Sequence, residues 1–143
     1  SDIMTLANEY HIPVTPRGAG TGLELAAVVG ENGGIILDTS RMNRIFEINA
    51  EKMYMVVEPG VITADIQKEA QKLGLLYAGD PCSGDCCQIG GNAATNAGGN
   101  RAVKYGTTRD QIYAIEVVMP TGTIANFGSR LKKVSTGIKT GKL

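Results

Sequence analysis

Apolar side chains follow the spacing of a helix face in two stretches of the chain. The first stretch opens the sequence, where apolar residues at positions 3, 6, 7 and 10 predict a helix. The second is predicted to begin with Thr63 as its N-cap residue and to run to Leu73, with Ile66 and Ala70 on the same face. Gly74 follows at the position where helices commonly end in a left-handed residue.

Elsewhere the pattern changes to runs that are rich in β-branched residues or alternate in polarity, which predict strands. These runs cover residues 13–16, 34–38, 44–50, 53–58, 112–119 and 123–127. The run at 34–38 is expected to be a buried strand, and the runs at 44–50 and 53–58 to pair antiparallel. The segment Pro120-Thr121-Gly122 is a predicted turn between the last two strands. Helices and strands are therefore both expected, without an internal repeat or an interdomain linker.

Two glycine-rich segments interrupt these elements. The first reads PRGAGTG at residues 16–22, and the second reads IGGNAATNAGG at residues 89–99. Most of the excess of glycine, which makes up 19 of the 143 residues, falls in these two segments. Peptide N–H groups without neighbouring Cβ atoms can approach a phosphate closely. Two such segments suggest a ligand with phosphate at one end and an aromatic system at the other, as in a dinucleotide, and residues 78–108 are interpreted as a ligand loop.

Polar side chains inside the two segments support this interpretation. Arg17 flanks the first segment, and a guanidinium there can pair with a pyrophosphate. Asn92, Thr95 and Asn96 in the second segment offer donors and acceptors to the rim of a heteroaromatic ring. A plain tight turn for the first segment and a flexible surface segment for the second are the alternatives.

Two other phosphate-binding motifs fit the sequence less well. A P-loop needs Gly-Lys followed by Ser or Thr, and residues 137–143 interrupt that pattern. A Rossmann site would use Gly18 after a strand and Asp38 as the ribose-binding acid. Only ten residues separate Gly22 from Gly33, too few for the helix of a parallel crossover. The spacing alone disfavours a Rossmann site without excluding it.

Composition and charge narrow the range of partners. The chain is 43% apolar, and its 14 basic residues balance 14 acidic ones. It can build a hydrophobic core, but it lacks the net positive charge that would attract nucleic acid or an anionic membrane. No apolar run is as long as a bilayer span, and the N-terminus lacks the zones of a signal peptide. A cytoplasmic location is expected.

Few residues offer reactive chemistry. Cys82, Cys86 and Cys87 are crowded together, but only the distant His11 could join them, so no metal site is expected. His11, the only histidine, is expected at a partly exposed boundary between the first helix and a strand, outside catalysis. No serine, cysteine or lysine is visibly paired with a base. The sequence therefore predicts a segment that binds a ligand and supplies no catalytic residue.

The chain resembles the FAD-binding domain of the FAD-linked oxidases, the p-cresol methylhydroxylase (PCMH) and vanillyl-alcohol oxidase superfamily. The resemblance rests on a series of motifs in order, at residues 16–23, 37–43, 57–61, 79–81, 89–99 and 104–110. Within that superfamily the chain is most similar to D-2-hydroxyacid dehydrogenases, such as the flavin subunit of glycolate oxidase and D-lactate dehydrogenases.

The resemblance implies an α+β fold of two subdomains, about residues 1–60 and 61–143, with FAD between them. The cofactor-binding positions carried over are Arg17, Gly18, Ala19, Gly20, Thr21 and Gly22 for the pyrophosphate, and Pro81, Gly90, Gly91, Asn92, Thr95, Asn96 and Gly98 for the flavin and ribityl region. Residues 24–27 depart from the Ser-Gly-Gly-Ala that often follows the first loop in this family. Relatives that attach FAD covalently use a His in the first loop or a Cys just before the paired glycines. This chain has no such His, and its cysteines have a different spacing, so noncovalent FAD is expected.

The resemblance also implies a function for the longer protein. A D-2-hydroxy acid would be oxidised to the 2-oxo acid, with hydride passing to flavin N5 and electrons to an external acceptor, such as a partner subunit. The intact complex is expected to lie peripherally at the membrane surface. The chain is expected to be a single FAD-binding domain, truncated at both ends and without its substrate domain, so that alone it would be inactive. A noncatalytic nucleotide-binding or interaction module is the alternative hypothesis.

Overall fold

The computed structural model describes residues 1–129, which mix short helices with short strands. In chain order the elements are α1 (Asp2–Glu9), β1 (Val14–Arg17), β2 (Ile35–Asp38), β3 (Ile45–Asn49), β4 (Tyr54–Val57), α2 (Thr63–Lys72), α3 (Ile89–Ala94), α4 (Ala102–Tyr105), α5 (Thr108–Gln111), β5 (Ala114–Val118) and β6 (Ile124–Gly128). Both predicted helices and all six predicted strands are confirmed, each to within two residues at its ends. The segment compared above with a P-loop lies outside the described residues.

The chain divides into two compact units, each assembled from separate segments. Of the described residues, the first unit contains 1–15, 29–36 and 112–129, and the second contains 16–28 and 37–111. All the expected cofactor-binding residues therefore fall in the second unit. The subdomain boundary expected near residue 60 stays a prediction.

In the first unit, β5 and β6 form an antiparallel hairpin in a regular register from the Ala114–Gly128 pair to the Val118–Ile124 pair. The predicted turn closes it, since the Gly122 N–H donates to the Met119 carbonyl. Gly122 has a φ of +84°, and its backbone accepts a hydrogen bond of 3.0 Å from the Ser1 hydroxyl at the start of α1. The hairpin and α1 are thus joined directly.

Strands β1 and β2 form a two-stranded sheet. The Ile35 N–H donates to the Pro13 carbonyl and the Thr39 N–H to the Arg17 carbonyl, two bonds with the same offset of 22 residues, as in a parallel pair. The connection over residues 18–34 contains no helix, which is the result expected from its length and argues against a Rossmann unit. The strand expected to be buried is instead half-exposed: Ile36 is 48% exposed, because side chains alternate between two faces.

In the second unit, β3 and β4 pair antiparallel as predicted, with an irregularity between Ile45 and Glu47. The ends of the two strands are clasped by Arg44 and Glu58. The Arg44 guanidinium contacts both Glu58 carboxylate oxygens at 2.8 and 3.2 Å, and the Arg44 N–H donates to the same carboxylate at 2.7 Å. Glu58 is only 7% exposed, so the clasp fixes the chain where it enters Pro59 and Gly60.

Helix α2 corrects one expectation. Its N-cap residue is Ile62, and Thr63 is the first helical residue, fully buried. The Thr63 hydroxyl makes no cap because it is engaged elsewhere: it accepts from Asn92 Nδ2 at 2.7 Å and lies 3.2 Å from Cys87 Sγ. Ile66 and Ala70 are buried as expected, whereas Leu73 is 48% exposed. Gly74 follows the helix with a φ of +70°, as predicted.

The stretch at 78–108 corrects another expectation. Its composition predicts one long ligand loop, but the stretch contains α3, α4 and the start of α5. Helix α3 forms despite its glycines because its first N–H groups are paired outside the helix: Ile89 donates to the Val61 carbonyl and Gly90 to the Pro59 carbonyl. Tertiary hydrogen bonds thus outweigh the low helix propensity of glycine.

Candidate functional site

The first glycine segment is an exposed loop whose backbone donors are free. None of the N–H groups of residues 18–22 donates a hydrogen bond to any residue within 1–129. Gly18 is half-buried, and Arg17, Ala19, Gly20, Thr21 and Gly22 are exposed. The loop therefore offers a run of unpaired peptide donors, the feature that an anion site needs.

Arg17 folds over this loop. A Cβ atom built on Gly20 would lie 2.9 Å from Arg17 Nη2, and Gly20 has a φ of +69° that favours glycine. Hydrogen bonds from Ser40 hold the pKa of Asp38 below its ordinary value, and the nearby charge of Arg17 lowers that pKa further. The structure thus brings together the arginine and the glycines that the sequence singled out.

The second glycine segment is fixed to the turn after β4. A Cβ atom on Gly90 would lie 2.5 Å from Pro59 Cβ and 3.0 Å from the Pro59 carbonyl oxygen. Gly90 is therefore required by packing inside the chain. Gly91 lies on the other side of α3, exposed, with no atom of the described residues within 4 Å of where its Cβ would be.

Asn92 points into the protein. It is 5% exposed, and its amide donates to the buried Thr63 hydroxyl. Thr95 is exposed, and its hydroxyl donates to the Gly91 carbonyl one turn earlier in the chain. Of these two expected ligand contacts, Asn92 holds α3 onto α2, while Thr95 lies at the surface.

Asn96 connects the end of α3 to the start of α5. It has a φ of +50°, a conformation that Asn tolerates better than most residues. Its side-chain oxygen accepts from the Thr107 hydroxyl at 2.7 Å and from the Arg109 N–H at 3.0 Å. The Thr107 N–H in turn donates to Asp110, as in a capping box.

Pro81 lies beside the end of the second segment. Gly99 has a φ of +147°, and a Cβ atom on it would clash with the Asp80 carbonyl oxygen. Arg101 pairs with Asp80 at 3.3 Å. Gly98, one residue earlier, is exposed, and no atom of the described residues lies within 4 Å of its Cβ position. Residues 98–99 thus pass directly over Asp80 and Pro81.

The first segment contacts Gln88, the residue immediately before the second segment. A Cβ atom on Gly18 would lie 3.0 Å from Gln88 Oε1, and Gln88 immediately precedes α3. Gln88 is 9% exposed, and its Oε1 atom is buried without a hydrogen-bond partner among residues 1–129. Gln88 is also one of the residues that line a cavity of about 340 Å³, together with Ser40, Asn43, Asp65 and Glu69. No motif in the sequence marks Gln88; the one signal is its position just before the paired glycines.

The remaining titratable candidates lie apart from these segments or are inward-facing. His11 is exposed in the first unit, with a φ of +52°. Cys82 and Cys86 are exposed, and Cys87 is buried against Thr63. Burial, with a smaller effect of Cys87, raises the pKa of Tyr77 to about 12. Within residues 1–129, no group of three or more His, Cys, Asp or Glu side chains is placed to hold a metal ion.

A loop with free backbone N–H groups lies beside a guanidinium and contacts Gln88, the residue just before a second glycine segment; such a domain can hold an extended ligand with an anionic group. The chain belongs to the family of FAD-binding domains, since the family model described as "FAD binding domain" matches residues 1–128. This match confirms the resemblance found in the sequence. The expected fold class, an α+β FAD-binding domain of the PCMH type, is likewise confirmed.

Relatives and solved structures agree with this assignment. The chain is 44% identical over 135 residues to a D-lactate dehydrogenase of Anaerostipes hadrus, covering 94% of this chain and 28% of that protein. It is 41% identical over 137 residues to glycolate oxidase subunit GlcD of Bacillus subtilis (strain 168), covering 96% of this chain and 29% of that protein. The crystal structure of 6-hydroxy-D-nicotine oxidase from Arthrobacter nicotinovorans matches 87% of this chain and 26% of that one, with a TM-score of 0.75 at 27% identity.

The chain therefore spans less than a third of the length of these proteins. In the part of the chain that the structure describes, no helix combines the length and apolar character needed to cross a bilayer.

Proposed function

We propose that this chain binds FAD noncovalently and that the protein carrying it oxidises a D-2-hydroxy acid of the glycolate or D-lactate type. In this proposal residues 17–22 hold the pyrophosphate, and the exposed surface of α3 with residues 95–98 and Pro81 holds the flavin and ribityl part. The membership in the FAD-binding family and the names of the relatives support the reaction class. FAD, when bound, supplies the two-electron acceptor.

The observation that carries the proposal is the set of free N–H groups at residues 18–22 beneath the Arg17 guanidinium. Backbone donors in a concave loop bind phosphate oxygens, and a guanidinium adds charge-assisted hydrogen bonds. Gly91 and Gly98 support the flavin end. Neither has a positive φ, and neither meets a neighbouring atom at its Cβ position, so packing within the described residues gives no reason for glycine there. A ligand that approaches the backbone closely at these two positions would give such a reason.

The proposal that FAD is held noncovalently rests on where the histidine and cysteine residues of the chain lie. The first loop contains neither histidine nor cysteine. Cys87, the cysteine nearest to the paired glycines, is buried with its sulfur against Thr63. Acid precipitation of the purified holoprotein is expected to release all the flavin into the supernatant, and mass spectrometry is expected to show the unmodified mass. A protein pellet that keeps its flavin would contradict noncovalent binding.

The proposed activity is tested on the protein expressed from its whole reading frame. We expect it to show the visible absorption of oxidised flavin, and that absorption to bleach when D-lactate, glycolate or another D-2-hydroxy acid is added without oxygen. A protein that binds AMP or NAD as tightly as FAD, and shows no bleaching, would favour the noncatalytic nucleotide-binding module instead.

Arg17→Met tests the pyrophosphate end of the proposal. Loss of a charge-assisted hydrogen bond is expected to raise the Kd for FAD by about tenfold or more. Lys52→Met is the matched control, because it removes a positive charge from the exposed turn between β3 and β4. Equal effects of the two substitutions would indicate a general charge effect and refute a local role of Arg17.

We also propose that the reduced protein passes electrons to an external acceptor, such as a separate subunit. In this proposal it works in the cytoplasm, with its intact complex at the membrane surface. The balanced charge of the chain and its free cysteines support the cytoplasmic location. Fractionation of cells, with the flavoprotein followed in soluble and membrane pools, tests the location.

A further inference from the structure

We propose that Glu24 is a specificity-determining residue, whose carboxylate disfavours ligands that end in a free phosphate group at the loop of residues 18–22. The loop then selects FAD, whose two phosphates are internal, over ADP, which has the same adenosine and two phosphates but a free terminal phosphate. This inference rests on the proposed binding of FAD. It adds a residue that the resemblance does not assign to the cofactor.

The first argument is the position of the carboxylate beside the loop. A Cβ atom built on Gly22 would lie 2.9 Å from Glu24 Oε2, and apart from the chain neighbours of Gly22 no other described atom comes within 4 Å of that position. Glu24 follows Gly22 by two residues, so the chain keeps the carboxylate near the loop whichever rotamer this exposed side chain adopts. A phosphate held by the N–H groups of residues 18–22 therefore binds close to a negative charge.

The second argument is that this charge has no partner in the described part of the chain. Among residues 1–129 the Glu24 side chain forms neither an ion pair nor a hydrogen bond. Arg17 lies against Gly20, close enough to Asp38 for their two charges to interact. Of these three charged side chains two are negative, so the single guanidinium does not cancel the repulsion that Glu24 exerts on a ligand.

The third argument is the charge of the two ligands. Each phosphate of FAD is linked on both sides and carries a single negative charge at neutral pH. The terminal phosphate of ADP can lose a second proton, with a pKa of about 6, and then carries a double charge. Like charges repel at short range, and more strongly near a protein surface than in bulk water. Glu24 therefore opposes the binding of ADP more than it opposes the binding of FAD.

The contribution of Glu24 to this selectivity depends on pH through the ligand. Below about pH 6 the terminal phosphate of ADP takes up its second proton, and the two ligands then carry the same phosphate charge. The repulsion by Glu24 acts almost equally on both under these conditions. The preference for FAD that Glu24 causes should therefore be small in mildly acidic solution and grow as the pH rises through about 6. A merely structural role of Glu24 would produce no such dependence.

The test is Glu24→Gln in the protein expressed from its whole reading frame and freed of flavin, since glutamine keeps the size of the side chain and removes its charge. The measured quantity is the ratio of the Kd for ADP to the Kd for FAD. At about pH 8 this ratio is expected to fall by about threefold or more relative to wild type. At about pH 5.5 the fall is expected to be smaller, and at about 1 M salt it should nearly disappear through screening.

Two further variants serve as controls. Glu24→Asp keeps the charge and is expected to keep the wild-type ratio, and Glu51→Gln removes the same charge from the exposed turn between β3 and β4 and is expected to leave the ratio unchanged. An unchanged ratio in Glu24→Gln, or an equal fall in Glu51→Gln, would overturn the inference while leaving the proposed function intact. A fall that is the same at both pH values would also overturn it. A wild-type protein that fails to bind FAD would refute the proposed function and this inference together.

Discussion

The adjacent glycines Gly90 and Gly91 provide a sharp test of how α3 is held. Both lie in the first turn of the same helix, and neither has a positive φ. An alanine at Gly91 meets no atom of the described residues within 4 Å, whereas at Gly90 its Cβ would lie 2.5 Å from Pro59 Cβ. The two substitutions are chemically identical and differ only in this contact.

The expected magnitudes follow from two effects. Replacing glycine by alanine in a helix contributes about 0.5–1 kcal/mol of stability, and this contribution is the same at both positions. Overpacking against a fixed neighbour costs about 1–3 kcal/mol, and this cost applies only at Gly90. The difference between the variants should therefore equal the overpacking cost, with Gly91→Ala more stable than wild type and Gly90→Ala less stable than Gly91→Ala by about 1–3 kcal/mol.

Hydrogen–deuterium exchange in the absence of FAD measures this difference locally. Peptides that cover α3 report the free energy of opening of the helix, independently of how the rest of a longer protein unfolds. Equal exchange protection in Gly90→Ala and Gly91→Ala would refute the contact with Pro59 as the reason for Gly90. Under the proposed function, Gly91→Ala also weakens FAD binding although it stabilises the helix, because its new methyl group occupies the face assigned to the ligand.

Three further predictions concern buried polar groups of the second unit. Tyr77→Phe removes a buried hydroxyl without a partner among residues 1–129, so the free energy of unfolding is expected to remain within about 1 kcal/mol of wild type or to rise. The pKa of Tyr77 is raised from 10.0 to about 12 in the folded chain, so as the pH rises this phenol ionises in the unfolded chain before it ionises in the folded one. The free energy of unfolding of the wild type, measured by urea titration, should therefore fall between these pH values more steeply than that of Tyr77→Phe. Parallel curves for the two proteins would refute this. Hydrogen bonds from Arg44 lower the pKa of Glu58 below 4.5, so the clasp stabilises the fold above that pH and weakens as the pH falls through the folded pKa. Glu58→Gln should lose this dependence in acid-unfolding curves, and an unchanged acid limb would contradict the role of the clasp. Asn92→Ala removes the donor to the buried Thr63 hydroxyl and should cost about 1–3 kcal/mol in thermal unfolding without ligand; weaker FAD binding at full stability would show instead that Asn92 acts on the ligand.

The sequence was sufficient where local physical rules decide the structure. The spacing of Ile66 and Ala70 predicted α2, and Gly74 marked its end, because periodicity and a left-handed residue are properties of a short stretch of chain. The pairing of β3 with β4 and the turn at Pro120 to Gly122 were predicted for the same reason. The motifs at 16–22 and 89–99 led to the family, which the family model confirms.

The sequence was insufficient where a distant partner decides the role of a residue. Thr63 is a good N-cap by type, but Asn92, 29 residues away, engages its hydroxyl in the core. Helix α3 was missed because glycine has low helix propensity, and the carbonyl groups of Pro59 and Val61 that pair with its first N–H groups are invisible in a local window. Gln88 was missed because nothing local shows that its side chain meets Gly18.

The glycine contacts of the second unit have a consequence for how this domain can diverge. Gly60 rests on the carbonyl groups of Thr39 and Met42, Gly90 on Pro59, and Gly99 on the Asp80 carbonyl. The shape of this region is thus set mainly by main chain against main chain, joined at Gly90 by the Cβ of Pro59, with little dependence on which side chains fill the other neighbouring positions. Many replacements around these three points should therefore preserve the architecture, and a saturation mutagenesis map should show the three glycines as isolated positions at which every replacement lowers stability, with larger losses at Gly60 and Gly99 than at Gly90.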